Sequence, residues 1–347
     1  MTPILAKVFR GETLESIHRG HIVAFDGEGN TILSVGEPET VTFWRSASKI
    51  FQAIPFITSG AADAFGFNER EIALACASHS GESFHTETAA EMLAKIGLDE
   101  SDLRCGTHPP FDSKTANELI RSGEKPDQLH NNCSGKHAAM LAFAKHIGAD
   151  PETYLSLDNP VQQEILRTTS IFSGVSANQI KLGIDGCSAP NFAVPISAMA
   201  KAFSRLNFLG DFRDEIGRIS EDEGSKFEKA CRRIIAAQIK YPEYIGGSVR
   251  LDTKIMQALP GKLICKVGAE GVWCATVLPS EMWKTGLGIA LKVEDGDDGR
   301  ARPAVAIELL RRLGIMDESA EATLSEFSPL ILKNRKDIVV GKVAADF

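Results

Sequence analysis

The chain has 347 residues, enough to bury a large core as one elaborate domain or two smaller ones. Its 43% hydrophobic and 24% charged content is ordinary for a globular protein, and the formal charge of −8 comes without any basic stretch long enough to follow a phosphate backbone, which argues against nucleic-acid binding. No apolar run approaches the roughly 20 residues that span a bilayer. The first residues carry no basic flank leading into an apolar stretch, and the seven cysteines, an odd number scattered along the chain, fit reduced thiols better than a disulfide framework. A cytoplasmic protein without membrane contact is the expectation.

In chain order, residues 21–25 and 31–35 are strand-like apolar runs on either side of Asp26-Gly27-Glu28-Gly29-Asn30, whose glycines suit the positive φ of a hairpin turn. From about residue 48 to 241 apolar residues recur every three or four positions. This spacing predicts helices over 69–77, 87–96, 114–122, 137–147, 160–172, 197–208 and 226–240. Asn159-Pro160 supplies a start and Ser173-Gly174 a stop for one of them. Residues 262–267, 271–278 and 288–293 return to strand character, separated by turns with Gly and Pro, and a helix over 301–313 follows. Strands at both ends around a helical block predict an α+β fold: one antiparallel sheet built from N- and C-terminal strands, with a large helical subdomain inserted. The expected organisation is a single domain, 1–347, with a sheet subdomain (1–47 and 245–347) and a mainly helical one (48–244). The acidic stretch 294–300 reads as a solvated loop tip rather than a metal site.

Chemistry gathers in five short segments. In Trp44-Arg45-Ser46-Ala47-Ser48-Lys49 a hydroxyl and an amine stand three residues apart at the start of a helix, where positions i and i+3 share a face. A serine needs a base to become a nucleophile, and a lysine serves only when burial or a nearby cation lowers its pKa. The alternative is a helix cap, Ser46, with Lys49 in solvent. Cys76-Ala77-Ser78-His79-Ser80-Gly81-Glu82 closes a predicted helix with hydroxyls and an imidazole. Asn132-Cys133-Ser134-Gly135-Lys136-His137 opens another, where backbone N–H groups favour an anion or a thiolate. Asp185-Gly186-Cys187-Ser188-Ala189-Pro190 and Lys266-Val267-Gly268-Ala269-Glu270-Gly271 complete the set. Cys133 and Cys187 admit two readings, buried structural thiols or metal ligands, with Lys136 or His137 as a third donor.

Together these motifs, with His18-Arg19-Gly20-His21 ahead of them, resemble the rhizobial-type (class 3) L-asparaginases, the L-asparaginase II family, over nearly the whole chain. The resemblance implies the fold of the serine β-lactamase and glutaminase superfamily. It implies Ser46 as nucleophile with Lys49 as its base, and Ser78 paired with a second lysine. Lys266 is assigned as that lysine because Lys-x-Gly on a late strand matches the superfamily's third motif, with Lys262 as the fallback. It places Arg45, His137 and Asp185 along the substrate pocket, and Cys133, Lys136 and Cys187 around a zinc ion completed by water that supports the pocket or the substrate. L-Asparagine is the implied substrate and a homodimer the implied assembly. The rivals are a glutaminase, separated by one methylene worth only ~1–3 kcal/mol in a pocket, a penicillin-recognising hydrolase, and a zinc-dependent binding or regulatory protein in which Ser46 is only a cap and Lys49 a surface residue.

Overall fold

The computed structural model of the chain describes residues 1–207 and 219–347. Its strands in chain order are β1 (Ile4–Arg10), β2 (Thr13–Asp26), β3 (Thr31–Val35), β4 (Val41–Phe43), β5 (Lys181–Ile184), β6 (Pro190–Pro195), β7 (Leu263–Val267), β8 (Val272–Val277), β9 (Leu287–Val293), β10 (Leu330–Lys333) and β11 (Val339–Ala345). The chain divides into two compact units. One is made of Met1–Thr42, Val194–Phe208 and Lys254–Phe347, the other of Phe43–Ala193 and Leu209–Thr253.

The first unit is the α+β sheet that the order of elements predicts. Its strands run β10-β11-β1-β2-β9-β8-β7, with β3 also paired to β2. Every register resolved within it is antiparallel. The 14-residue β2 is the spine: its first half pairs β1 and its second half pairs both β3 and β9. The β2–β3 hairpin closes at residues 26–30, where Asp26 Oδ1 accepts from the N–H groups of Glu28 and Asn30. Strands β7, β8 and β9 are buried along almost their whole length, as continuous apolar runs require.

The 197–208 prediction corresponds to the Ile196–Arg205 helix; Phe208 lies outside the described residues. This helix, placed with the helical block by the sequence pattern, packs on β9, β2 and β8. The contact is close because of a glycine: a Cβ on Gly288 of β9 would lie 2.1 Å from both Ala200 O and Ser204 N, while Thr276 Oγ1 of β8 donates to Phe203 O at 2.7 Å. The Ala301–Arg312 helix packs on β11, β1 and β9.

The second unit is helical, apart from the β5–β6 hairpin in a three-stranded sheet ordered β4-β6-β5. At its centre lies the Lys49–Thr58 helix, whose residues from Lys49 to Ile57 are all buried, as a helix apolar on every side must be. Around it pack the Ser134–Ile147, Pro160–Ser173 and Glu221–Lys240 helices. An aromatic chain links the central helix to the last two: Trp44 to Phe51 (4.9 Å between ring centroids), Phe51 to Phe172 (5.4 Å) and Phe172 to Phe227 (5.6 Å). Among the described residues no helix is long and apolar enough to cross a membrane.

Candidate active site

A single 3-10 turn, Arg45–Ser48, carries the chain into the Lys49–Thr58 helix. Ser46 lies inside that turn and caps nothing; Ser48 holds the cap position, its Oγ bonded to Arg45 O at 2.8 Å. Arg45 has a φ of +54°, in the left-handed region that side chains other than glycine seldom occupy. Such strain at the residue beside Ser46 is held in place by the Arg45 N–H bond to Asn191 Oδ1 (3.1 Å) and by a side-chain ion pair.

Lys49 is 1% exposed, which removes the reading of a solvent lysine. Its Nζ donates to Ala77 O at 2.6 Å, to Ser78 Oγ at 2.9 Å and to Asn132 O at 3.4 Å. The hydroxyl it reaches in this structure is therefore that of Ser78, while Ser46 is half-buried and its hydroxyl has no hydrogen bond among the described residues. Ser78 follows the Glu69–Ala75 helix and is pinned by its N–H bond to Ile245 O (2.9 Å).

The sequence reading assigned His79 no role, yet it ties this loop to the 129–134 segment. Its Nδ1 accepts from Gly81 N (3.2 Å), so Nε2 carries the proton and donates to Ser134 Oγ (2.9 Å), which donates on to Leu129 O (3.0 Å). Its own N–H shares the Asn132 carbonyl with Lys49. Burial, and then the neighbouring His85, hold its pKa well below the ordinary 6.5, so the ring is neutral at pH 7. Nothing but a lone imidazole marked this residue in the sequence.

The predicted metal residues also converge. Cys133 stands at the cap of the Ser134–Ile147 helix, Lys136 and His137 lie in its first turn, and Cys187 arrives from the loop between β5 and β6. All four are at least 96% buried, and Lys136 Nζ lies 3.0 Å from Cys187 Sγ. A hydrogen bond from Cys133, with Lys136 and His137 beside it, holds the Cys187 thiol far below the usual range, and the same bond raises that of Cys133. Burial works against the Lys136 ammonium, but the two sulfurs outweigh it and its pKa is raised. His137 Nδ1 is bound to Tyr154 Oη (2.6 Å), while its Nε2 has no hydrogen-bond partner among the described residues; burial lowers its pKa to about 4. Among the described residues no three His, Cys, Asp or Glu side chains are placed to hold a metal ion. A metal here therefore needs the lysine as a ligand.

Arg45 and Asp185 are brought together as an ion pair, Nε and Nη2 each 3.0 Å from Oδ1. The two candidates for the second lysine lie in the first unit and differ sharply. Lys266 is fully buried on β7, its Nζ 2.9 Å from Val267 O. Lys262 is 43% exposed and paired with Asp317 at 2.7 Å, the environment of a surface charge.

A buried lysine bonded to one serine and three residues after another is an arrangement in which an amine can accept a hydroxyl proton. The L-asparaginase II family model matches residues 6–345, and the chain belongs to that family. It is an amidohydrolase. Among solved structures it is similar to a probable glutaminase from Bacillus subtilis complexed with 6-diazo-5-oxo-L-norleucine, at 12% identity over 85% of this chain and 84% of that one, with a TM-score of 0.37. It is also similar to beta-lactamases from Burkholderia ambifaria (13%, 85% and 94%, TM-score 0.39) and Sphaerobacter thermophilus (12%, 86% and 92%, TM-score 0.41). These likenesses are too distant to speak for the substrate. No curated protein sequence matches the chain.

Proposed function

We propose that the protein hydrolyses the side-chain amide of L-asparagine to L-aspartate and ammonia through an ester on Ser46. The observation that carries this reading is the buried Lys49 amine, 2.9 Å from Ser78 Oγ and three residues after Ser46. Lys49 takes the proton of the Ser46 hydroxyl as it attacks the amide carbon, and Ser78 relays protons between Lys49 and the leaving nitrogen. The oxyanion is held by backbone N–H groups at the Ser46 turn. Ammonia leaves, and water, deprotonated through the same pair, cleaves the β-aspartyl ester. The family resemblance adds Lys266 as the second lysine, and its complete burial supports it over Lys262.

Arg45 and Asp185 suit an α-amino acid. A substrate carboxylate takes the guanidinium and a substrate ammonium takes the carboxylate, so the ion pair now joining them exchanges for two with substrate. The family resemblance adds His137, a buried imidazole that is neutral at pH 7, to this pocket.

Cys133, Lys136 and Cys187 suit a zinc ion: two buried sulfurs, with the Lys136 amine 3.0 Å from that of Cys187. When bound, zinc supplies positive charge and a coordinated water at the pocket. Lys136 must then give up the proton that the sulfurs now stabilise, so metal uptake releases protons. The experiment for the activity is ammonia release by purified protein offered L-asparagine and L-glutamine separately. The reading requires asparagine to be turned over with the higher kcat/KM, and hydrolysis of neither amide contradicts it.

A further inference from the structure

Tyr154 follows the 3-10 turn Pro151–Thr153 and is fully buried, yet its hydroxyl is engaged twice. Its Oη accepts from the Arg104 N–H at 3.0 Å and lies 2.6 Å from His137 Nδ1; among the described residues it has no other hydrogen-bond partner. Gln162 Nε2 donates to Tyr154 O at 2.8 Å, and the phenol ring stands edge-on to the imidazole, 5.6 Å between centroids at 89°. Burial pushes the Tyr154 pKa up, so the phenol keeps its proton at pH 7. Arg104 presents an N–H, which cannot accept that proton, so its acceptor is His137 Nδ1. A ring whose Nδ1 accepts carries its one proton on Nε2. Nε2 is itself buried and has no hydrogen-bond partner among the described residues. The Cys187 sulfur is near enough for His137 to lower its pKa, but it takes no hydrogen bond from Nε2.

We propose that Tyr154 is a positioning residue: it fixes His137 as a hydrogen-bond donor through Nε2, and the acceptor is an oxygen of the bound substrate. The second half rests on the function proposed above, whereas the first rests on the chain from Arg104 through Tyr154 to His137. That chain rules out two other roles. With Nδ1 engaged and Nε2 protonated, the ring has no free lone pair with which to act as a general base or to bind a metal. A buried donor without an acceptor destabilises the fold, and a substrate oxygen at Nε2 removes that cost on binding. The place suits such an oxygen, because the neighbouring Cys187 stands two residues from Asp185, the carboxylate proposed to hold the substrate ammonium.

The first test reads the tautomer and needs no turnover. In nitrogen NMR of the full chain labelled at histidine, at pH 7, His137 is the signal absent from His137→Gln. It should show an unprotonated Nδ1 and a protonated Nε2, and Tyr154→Phe should bring in a second tautomer with the proton on Nδ1. A protonated Nδ1 in wild type overturns the proposal whether or not the variant folds, as does a Tyr154→Phe spectrum unchanged from wild type. The second test reads the acceptor. Adding L-asparagine to Ser46→Ala should move the Nε2–H proton resonance downfield. His137→Leu should raise KM about 10-fold or more, and His137→Gln, which keeps an N–H donor, should recover most of that loss. A resonance indifferent to asparagine, or an unmoved KM in His137→Leu, overturns the substrate half. Hydrolysis of neither amide by a wild type with the expected tautomer supports the positioning role and contradicts the function proposed above.

Discussion

Lys266 and Lys262 offer the sharpest contrast between neighbouring residues. Removing a buried amine with the catalytic role proposed for Lys266 should cost orders of magnitude, whereas an exposed ion pair contributes about 0–1 kcal/mol to stability and nothing to chemistry. Lys266→Met should therefore lower kcat/KM by about 100-fold or more, with Lys262→Met within about twofold of wild type; the reverse order would reassign the second lysine. His85 allows a test by pH. Burial lowers its pKa from the ordinary 6.5 to about 4, so it is neutral when folded but binds a proton when unfolded in between. The unfolded state then holds more protons, and stability is lost as pH falls from 6.5 toward 4, by about 3 kcal/mol from this group if the full shift is expressed. Urea unfolding at pH 7 and pH 5 should show the loss, and His85→Gln should reduce it by the share of this group, leaving that of the equally buried His79 and His137. Much at this scale is legible in the sequence: Ile50-Phe51 and Ala53-Ile54 after Lys49 suit a buried amine, and the Cys-Ser-Gly-Lys-His run suits a helix start. The contact of Lys49 with Ser78, the strained φ of Arg45 and the links of His79 depend on segments distant in sequence, and no local spacing encodes them.

The placement of elements turns on how closely their backbones approach. Gly288 lets the Ile196–Arg205 helix settle onto β9, and Gly288→Ala puts a methyl where Ala200 O and Ser204 N already lie 2.1 Å away. Overpacking of this kind costs about 1–3 kcal/mol. The variant should lower the urea midpoint accordingly, and an unchanged midpoint would mean the helix shifts freely on the sheet. This same contact explains why the sequence pattern assigned the helix to the helical block: amphipathic spacing reveals a buried face but not what buries it. Strands β7, β8 and β9 were legible because full burial demands unbroken apolar runs. Strands β1, β10 and β11 were not. They are half-exposed, their sequences mix charge with apolar residues, and only pairing to β2 and to each other makes them strands.

For the molecule as a whole, metal and catalysis can be separated. The protein should carry about one zinc per chain, lost on Cys133→Ser with Cys187→Ser, with KM rising more than kcat falls, because these residues hold the pocket rather than the nucleophile. Zinc should also be released as the medium is acidified, since protons compete for the sulfurs and for Lys136. Elemental analysis of protein purified without chelator checks both, and an absence of metal would return the cysteines to a purely structural role. The most direct test of the account is the rate of ammonia release from L-asparagine by wild type and by Ser46→Ala, with folding verified by circular dichroism. Wild type should turn over, and the folded variant should lose several orders of magnitude in kcat. Turnover by Ser46→Ala at a rate near that of wild type would contradict it.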